Sequence, residues 1–160
     1  MGIAVSKESW EPAGMTMHLI KLCVGAHSVD DLARWQAANR QYWRQVEGRA
    51  CVFHTTAQTP RLRAALLDGG SLYWVIRGVI QARQRLVGFD EGHKENGSAC
   101  CLLLLDPTIV AVQPVVRRAF QGWRYLPPDE APPDLAASAA SDVEAMPAAL
   151  RRDLAELCLI

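Results

Sequence analysis

Apolar positions recur along the chain with two different periods, and the switches between them divide it into elements. The run MHLIKLCVG (17–25) is apolar almost throughout and stops at a glycine, which predicts a first, largely buried strand. From 28 to 46 the spacing lengthens. Leu32, Trp35, Tyr42 and Val46 fall on one stripe and Asp31, Arg34, Gln41 and Arg44 off it, predicting a helix opened by a Ser28–Asp31 capping box and stopped at Gly48. RACVFHTTA (49–57) is β-branched and aromatic and predicts a second strand. TPRLRAALLDGG predicts a short helix with Thr59 as its cap, Pro60 at its first position, Leu62, Leu66 and Leu67 inward, and Gly69 and Gly70 as its stop.

In GGSLYWVIRGVIQARQRL (69–86) the period is two. Leu72, Trp74, Ile76, Ile80, Ala82 and Leu86 share one parity, while Tyr73, Val75, Arg77, Val79, Gln81, Arg83 and Arg85 share the other. This predicts an apolar face and a face that ends cationic, on one long bent strand or two strands around Gly78. A helix over 79–87 fits as well, because Val79, Ala82 and Leu86 also keep helical spacing. FDEGHKENGS reads as a polar connection turning at Asn96 and Gly97, and ACCLLLLDP as a central strand buried on both faces. TIVAVQP and FQGWRYL read as further strands, with VVRRA between them as a basic bend or strand. PPDEAPPDLAASAAS reads as a linker. In the last segment Val143, Met146, Leu150, Leu154 and Leu157 return to helical spacing.

The fold expected is α+β: a mixed or antiparallel curled sheet with an early helix and a C-terminal helix. Residues 1–14 are expected to be a disordered extension, 15–126 a single α+β domain, 127–141 the Pro/Ala-rich linker and 142–160 a helix packing on the domain.

Composition narrows the class. Half of the 160 residues are apolar and no run reaches the length of a bilayer span, so no membrane association is expected. The start lacks a basic flank followed by an apolar core, so a cytoplasmic location is expected. Five cysteines, an odd number lying mostly within apolar runs, read as reduced thiols. Cys51 and His54 form a lone CxxH and read as core residues, leaving no metal site and no cofactor expected. Charge is balanced overall but unevenly spread. Residues 61–126 carry 9 basic and 5 acidic side chains, whereas 127–160 carry 2 and 7, which suits an anion-binding middle.

That middle also holds Tyr73, Trp74, Trp123 and Tyr125 among Arg77, Arg83, Arg85, Arg117, Arg118 and Arg124. Aromatic faces stack on bases and guanidinium forks hold phosphates, so this mixture suits RNA or a nucleotide-like anion. Gln84 and Gln121 could join Arg77, Arg124 and Tyr125 around a polar ligand. The ligand-binding set read from the sequence is therefore Tyr73, Trp74, Arg77, Arg83, Gln84, Arg85, Gln121, Trp123, Arg124 and Tyr125. The same residues also suit a tryptophan-lined core with arginines snorkelling at its rim. Two other classes stay open: a protein-interaction module using the C-terminal helix or the linker, and an enzyme whose pocket forms only in three dimensions. His18, His54, His93, Asp68, Asp90 and Asp106 are scattered without motif spacing, which favours a non-enzyme.

The strings GGSLYWVIRGVIQARQR and FQGWRYL, with MHLIKLCVG and LLLLDP in the same order, resemble the bacterial family named Domain of Unknown Function 1489. The likeness spans roughly residues 17–135 and implies no particular activity. HTTAQTPRLR is less basic than that family's pattern. ALLDGGSLYWVIRG, a helix leading through glycines into a strand, is similar to the PUA-like barrels, which include RNA-binding and modified-base-binding domains. That similarity implies a partial barrel.

Overall fold

The computed structural model describes residues 16–118 and 120–135. The extension read at 1–14 and the helix read at 142–160 lie outside the described residues. The elements in order are β1 (His18–Leu22), α1 (Val29–Ala38), β2 (Trp43–Val46), β3 (Arg49–Thr56), α2 (Arg63–Leu67), β4 (Ser71–Ile76), β5 (Val79–His93), β6 (Ala99–Leu105), β7 (Val110–Val116) and β8 (Trp123–Leu126). They form one mixed sheet ordered β2-β3-β6-β5-β4-β1-β8, with β7 added along the first half of β5. Only the β1–β4 pair is parallel. No helix among the described residues is long and apolar enough to cross a membrane.

The sheet curls without closing. Trp74 on β4 meets His54 on β3 edge to face at 5.1 Å, although β5 and β6 stand between those strands. On the far edge, Trp123 Nε1 donates to the Gln58 carbonyl (2.9 Å) and the Tyr125 hydroxyl accepts from the Arg61 and Leu62 amides. Inside the curl lies the main core: Leu19, Leu72, Trp74, Ile76, Leu86, Cys101, Leu103 and Leu105 from the sheet, Leu32 from α1 and Leu66 from α2. Outside it, Ile20, Tyr73, Val75, Ile80, Val112 and Leu126 form a second cluster. Strand β4 is thus buried on both faces, and so is β6, as its uninterrupted apolar run predicts.

The segment 69–86 proves to be two strands joined by a tight hairpin, with Arg77 and Gly78 both at positive φ (52° and 79°). The register also explains why alternation survives the turn. Val75 faces Ile80 but Trp74 faces Ala82, so Gln81 is an extra residue that restores even-to-even pairing. Its amide is satisfied by the Ile76 carbonyl (2.9 Å). The apolar parity does face the core except at Ile80, which falls before the bulge and joins the outer cluster. The parity read as ending cationic is mostly buried: Tyr73 and Val75 join the outer cluster with Val112 of β7 and Leu126 of β8, Gln81 is buried at the bulge, and Val79, paired with Ile76 before the bulge, turns to the inner side.

Four further expectations are corrected. The helix read over 28–46 ends at Ala38, where the Asn39 backbone and side-chain amides and the Trp43 indole take the last carbonyls. The remainder is strand β2, and Gly48 serves with Glu47 in a hairpin turn, both at positive φ. The Ser28 cap itself holds, accepting from the Asp31 amide at 3.0 Å. Helix α2 begins at Arg63 with Leu62 as cap instead of Thr59, and Leu67 points to solvent. The polar connection after 86 is largely strand: β5 continues to His93, and only the turn at Gly97 (φ 85°) is as read. The stretch read as a linker enters the fold over 127–135, where a 3-10 turn spans Pro128–Glu130 and the Leu135 and Gln113 amides bond across to Ala111 and Pro133.

Candidate functional site

Strand β1 alternates so that Leu19, Lys21 and Cys23 share the inner face of the curl. Lys21 lies level with Trp74 of β4 on one side and Trp123 of β8 on the other. Strand β3 does the same with Val52 and His54, which pair with the core residues Leu105 and Leu103 of β6. These residues, with the loop 23–26 and one side of α1, enclose a cavity of about 600 Å³ at the end of the curl.

A buried amide network fixes one wall. Gln36 and Gln84 bond reciprocally, amide to carbonyl, at 2.8 and 3.0 Å. Gln84 Oε1 also accepts from the Trp74 indole (2.9 Å), and its Nε2 also donates to the Asp106 carbonyl (3.1 Å). All four hydrogen-bonding positions of Gln84 are used, which locks the plane of Trp74 against the cavity. The mouth is aromatic: Trp35 stacks on Tyr42 (5.3 Å), which meets Phe53 edge to face (5.8 Å). Val24 and Trp35 remain 91% and 50% exposed there.

Against these apolar walls stand His54, Lys21 and Cys23. Burial, reinforced by the Lys21 charge, holds His54 down at about 4, so its imidazole is neutral at pH 7. Its Nε2 is buried and has no hydrogen-bond partner among the described residues. Burial lowers Lys21, opposed by Cys23, and pushes the Cys23 thiol up to about 11, opposed by Lys21. Asp31 also lines the cavity, but its carboxylate accepts from the His27 amide (3.1 Å) and pairs with Arg34 (2.6 Å). Among the described residues Lys21 has no ion pair. Cys51 and His54, three apart on β3, face opposite sides of the sheet.

His54 carries a pH prediction. The unfolded chain binds its proton between pH 6.5 and about 4 while the folded chain does not. Its share of stability is therefore whole above 6.5 and is lost as pH falls towards 4. Urea denaturation across that window should show about 3 kcal/mol lost through His54. His18 adds in the same direction, since burial lowers it and its Nδ1 accepts from the Ser71 amide (3.0 Å). His54→Phe should flatten the wild-type slope; an unchanged slope overturns the neutral buried imidazole.

The residues read from the sequence divide between the two faces. Trp74, Trp123 and Tyr125 do gather on the inner one, and Gln84 stands behind Trp74. The arginines do not join them. Arg83 lies on the outer face, held to Asp134 by two bonds of 2.7 Å and to Ser71 by a third, with Tyr73 buried beside it. Arg124 lies over Phe120 at 5.2 Å, and Arg77 sits exposed at the hairpin tip, bonded to His27. Arg85 borders a smaller cleft with Arg49 and Asp106, and Gln121 is exposed in the bend before β8. Lys21, His54 and Gln36 were absent from that set. A signal existed for the first, a lone lysine at a core parity of an otherwise apolar strand.

A family model described as Protein of unknown function (DUF1489) matches residues 19–160. No curated protein and no solved structure matches the chain.

Proposed function

We propose that this chain, which belongs to the DUF1489 family, binds a small, flat, largely apolar molecule bearing an oxygen acceptor in the cavity between β1, α1 and β3. The observation that carries this reading is the buried Nε2 of His54 beside Lys21 in a cavity of about 600 Å³, neither of them having a partner in a hydrogen bond or ion pair among the described residues. A buried polar atom without a partner costs free energy, which a ligand bonding to it would recover. The volume suits a small organic ligand, and rigid aromatic walls favour a planar one. Of the five exposed large apolar side chains among the described residues, three, Val24, Trp35 and Tyr42, stand at this mouth, where a ligand would cover them.

Titration with 2-naphthoate, followed by tryptophan emission, is expected to quench and saturate. Lys21→Met should weaken binding by roughly tenfold, the worth of one charge-assisted bond. Absence of saturable quenching up to millimolar naphthoate overturns the reading.

A second reading keeps RNA or a nucleotide-like anion as the ligand. The observation favouring it is that the Arg117 amide bonds to the Gly78 carbonyl (2.9 Å), bringing the backbone of Arg117 and Arg118 to the hairpin tip that carries Arg77. Short single-stranded RNA in the same titration should then bind in a strongly salt-dependent way and weaken in an Arg77→Ala, Arg124→Ala variant.

A further inference from the structure

We infer that Lys21 is a reactive amine that condenses with an aldehyde or ketone held in the cavity, forming an imine, with His54 moving the protons. This rests on the ligand-binding reading and adds a covalent step to it.

Three observations support it. First, Lys21 is placed as a nucleophile would be: on the inner face of β1, level with Trp74 and Trp123, lining the cavity. An ordinary surface lysine keeps its charge in water, whereas this ammonium lies among apolar and aromatic walls. Asp31, the carboxylate lining the cavity, is bonded to Arg34 and the His27 amide. Burial therefore favours the uncharged amine, the form whose lone pair can attack. Second, His54 supplies a neutral imidazole in the same cavity, its Nε2 without a partner. It is near enough that the Lys21 charge depresses it. Third, the competing nucleophile is silent: Cys23 lines the cavity, but its thiol is held at about 11 and stays protonated at neutral pH.

The step balances without an oxidant or reductant. The Nζ lone pair attacks the carbonyl carbon, a C–N bond forms, and the C=O π pair moves to oxygen. The nitrogen gives up a proton through His54 and the oxygen gains one, producing a carbinolamine. Its hydroxyl then takes a second proton through His54 and leaves as water while the nitrogen lone pair closes the C=N bond, and the resulting iminium returns its N–H proton through His54 to leave the imine. The net change is amine plus carbonyl to imine plus water. A cavity walled by apolar side chains favours this direction, because it limits the water that would reverse it.

The test uses the full chain, whose only lysines are Lys7, Lys21 and Lys94. It is incubated at neutral pH with 2-naphthaldehyde and cyanoborohydride, which reduces any imine to a stable amine, and the adducts are mapped by peptide mass. Lys94, exposed in the turn after β5, is the internal reference. The expected result is Lys21 labelling roughly tenfold or more faster than Lys94. His54→Gln should slow the Lys21 adduct and leave Lys94 unchanged. Equal or slower labelling of Lys21 overturns the inference. The unreactive analogue 2-naphthalenemethanol, titrated by tryptophan quenching, separates the two failures. If it binds while Lys21 is not preferred, the covalent step falls and the cavity reading stands; if it does not bind either, both fall. Lys21→Arg should abolish fast labelling and retain the alcohol.

Discussion

Replacing Gln84 with alanine should destabilise the fold by about 4 kcal/mol, a large share of what a domain of this size possesses. Gln84 is fully buried, and all four of its hydrogen-bonding positions are filled. Truncation leaves the Gln36 amide, the Trp74 indole N–H and the Asp106 carbonyl short of partners at once, and it opens a void between α1 and β4. Each orphaned group costs roughly 1–3 kcal/mol, and they cannot all relax towards one another. Urea denaturation measures the loss directly, and a change below about 1 kcal/mol would sink the network as described. Trp74→Phe provides the partner measurement. It removes one donor but keeps the ring, so in combination with Gln84→Ala the two losses should fall short of additive. Ligand binding should suffer beyond stability, since Trp74 loses the bond that fixes its plane against the cavity.

Gly70→Ala should also cost on the order of 4 kcal/mol, for a steric reason. A Cβ at this position would collide with the backbone carbonyl oxygens of Met17 and Leu66, and neither is a flexible side chain that could swing away. The collision comes from the way β1 is fastened. The Met17 amide bonds to Ala65 at the end of α2 (3.1 Å), and the Gly70 carbonyl accepts from Leu86 (2.9 Å), so three elements meet on this residue. The adjacent glycine is the control. Gly69 has a positive φ of 83° but open space around its Cα. Gly69→Ala should cost only about 1 kcal/mol through backbone strain. Thermal denaturation of both variants checks the contrast. Equal losses would mean that conformation, not contact, governs the pair. Because Gly70 seats the start of β1, the damaged variant should also bind naphthoate less well, through displacement of Lys21.

Much of the strand framework was readable in one dimension. Period two located β4 and an uninterrupted apolar run located β6, since each carries side chains that must be buried and glycines or turn residues at its ends, whereas over the first half of β5 the spacing fitted a strand and a helix alike. The same logic failed from 39 to 46. Tyr42 and Val46 happen to keep helical spacing with Leu32, but the helix is ended by bonds from Asn39 and Trp43, and a spacing count is blind to bonds. What the second face, with Tyr73 and Val75, would meet was not legible for a related reason. Alternation separates two faces, yet it cannot say that a later strand and the proline-rich stretch will cover the second one.

For the site, the sequence by itself determined the ingredients: an α+β chain with a mixed or antiparallel curled sheet, the aromatic side chains Trp74, Trp123 and Tyr125 near β4 and β8, and a family pattern. Only the tertiary structure decided which ingredients meet. Trp74 and His54 are neighbours because the sheet curls, bringing β3 opposite β4 across two intervening strands. Arg83 looked available for a ligand until the return of the chain after β8 brought Asp134 to it. Lys21 interrupts an otherwise apolar strand, and only the curl gives its face a cavity. Local spacing records which side of an element is apolar. Which charges lose their water and which find a partner depends on contacts between residues far apart in the chain, and those exist only once the sheet has folded round on itself.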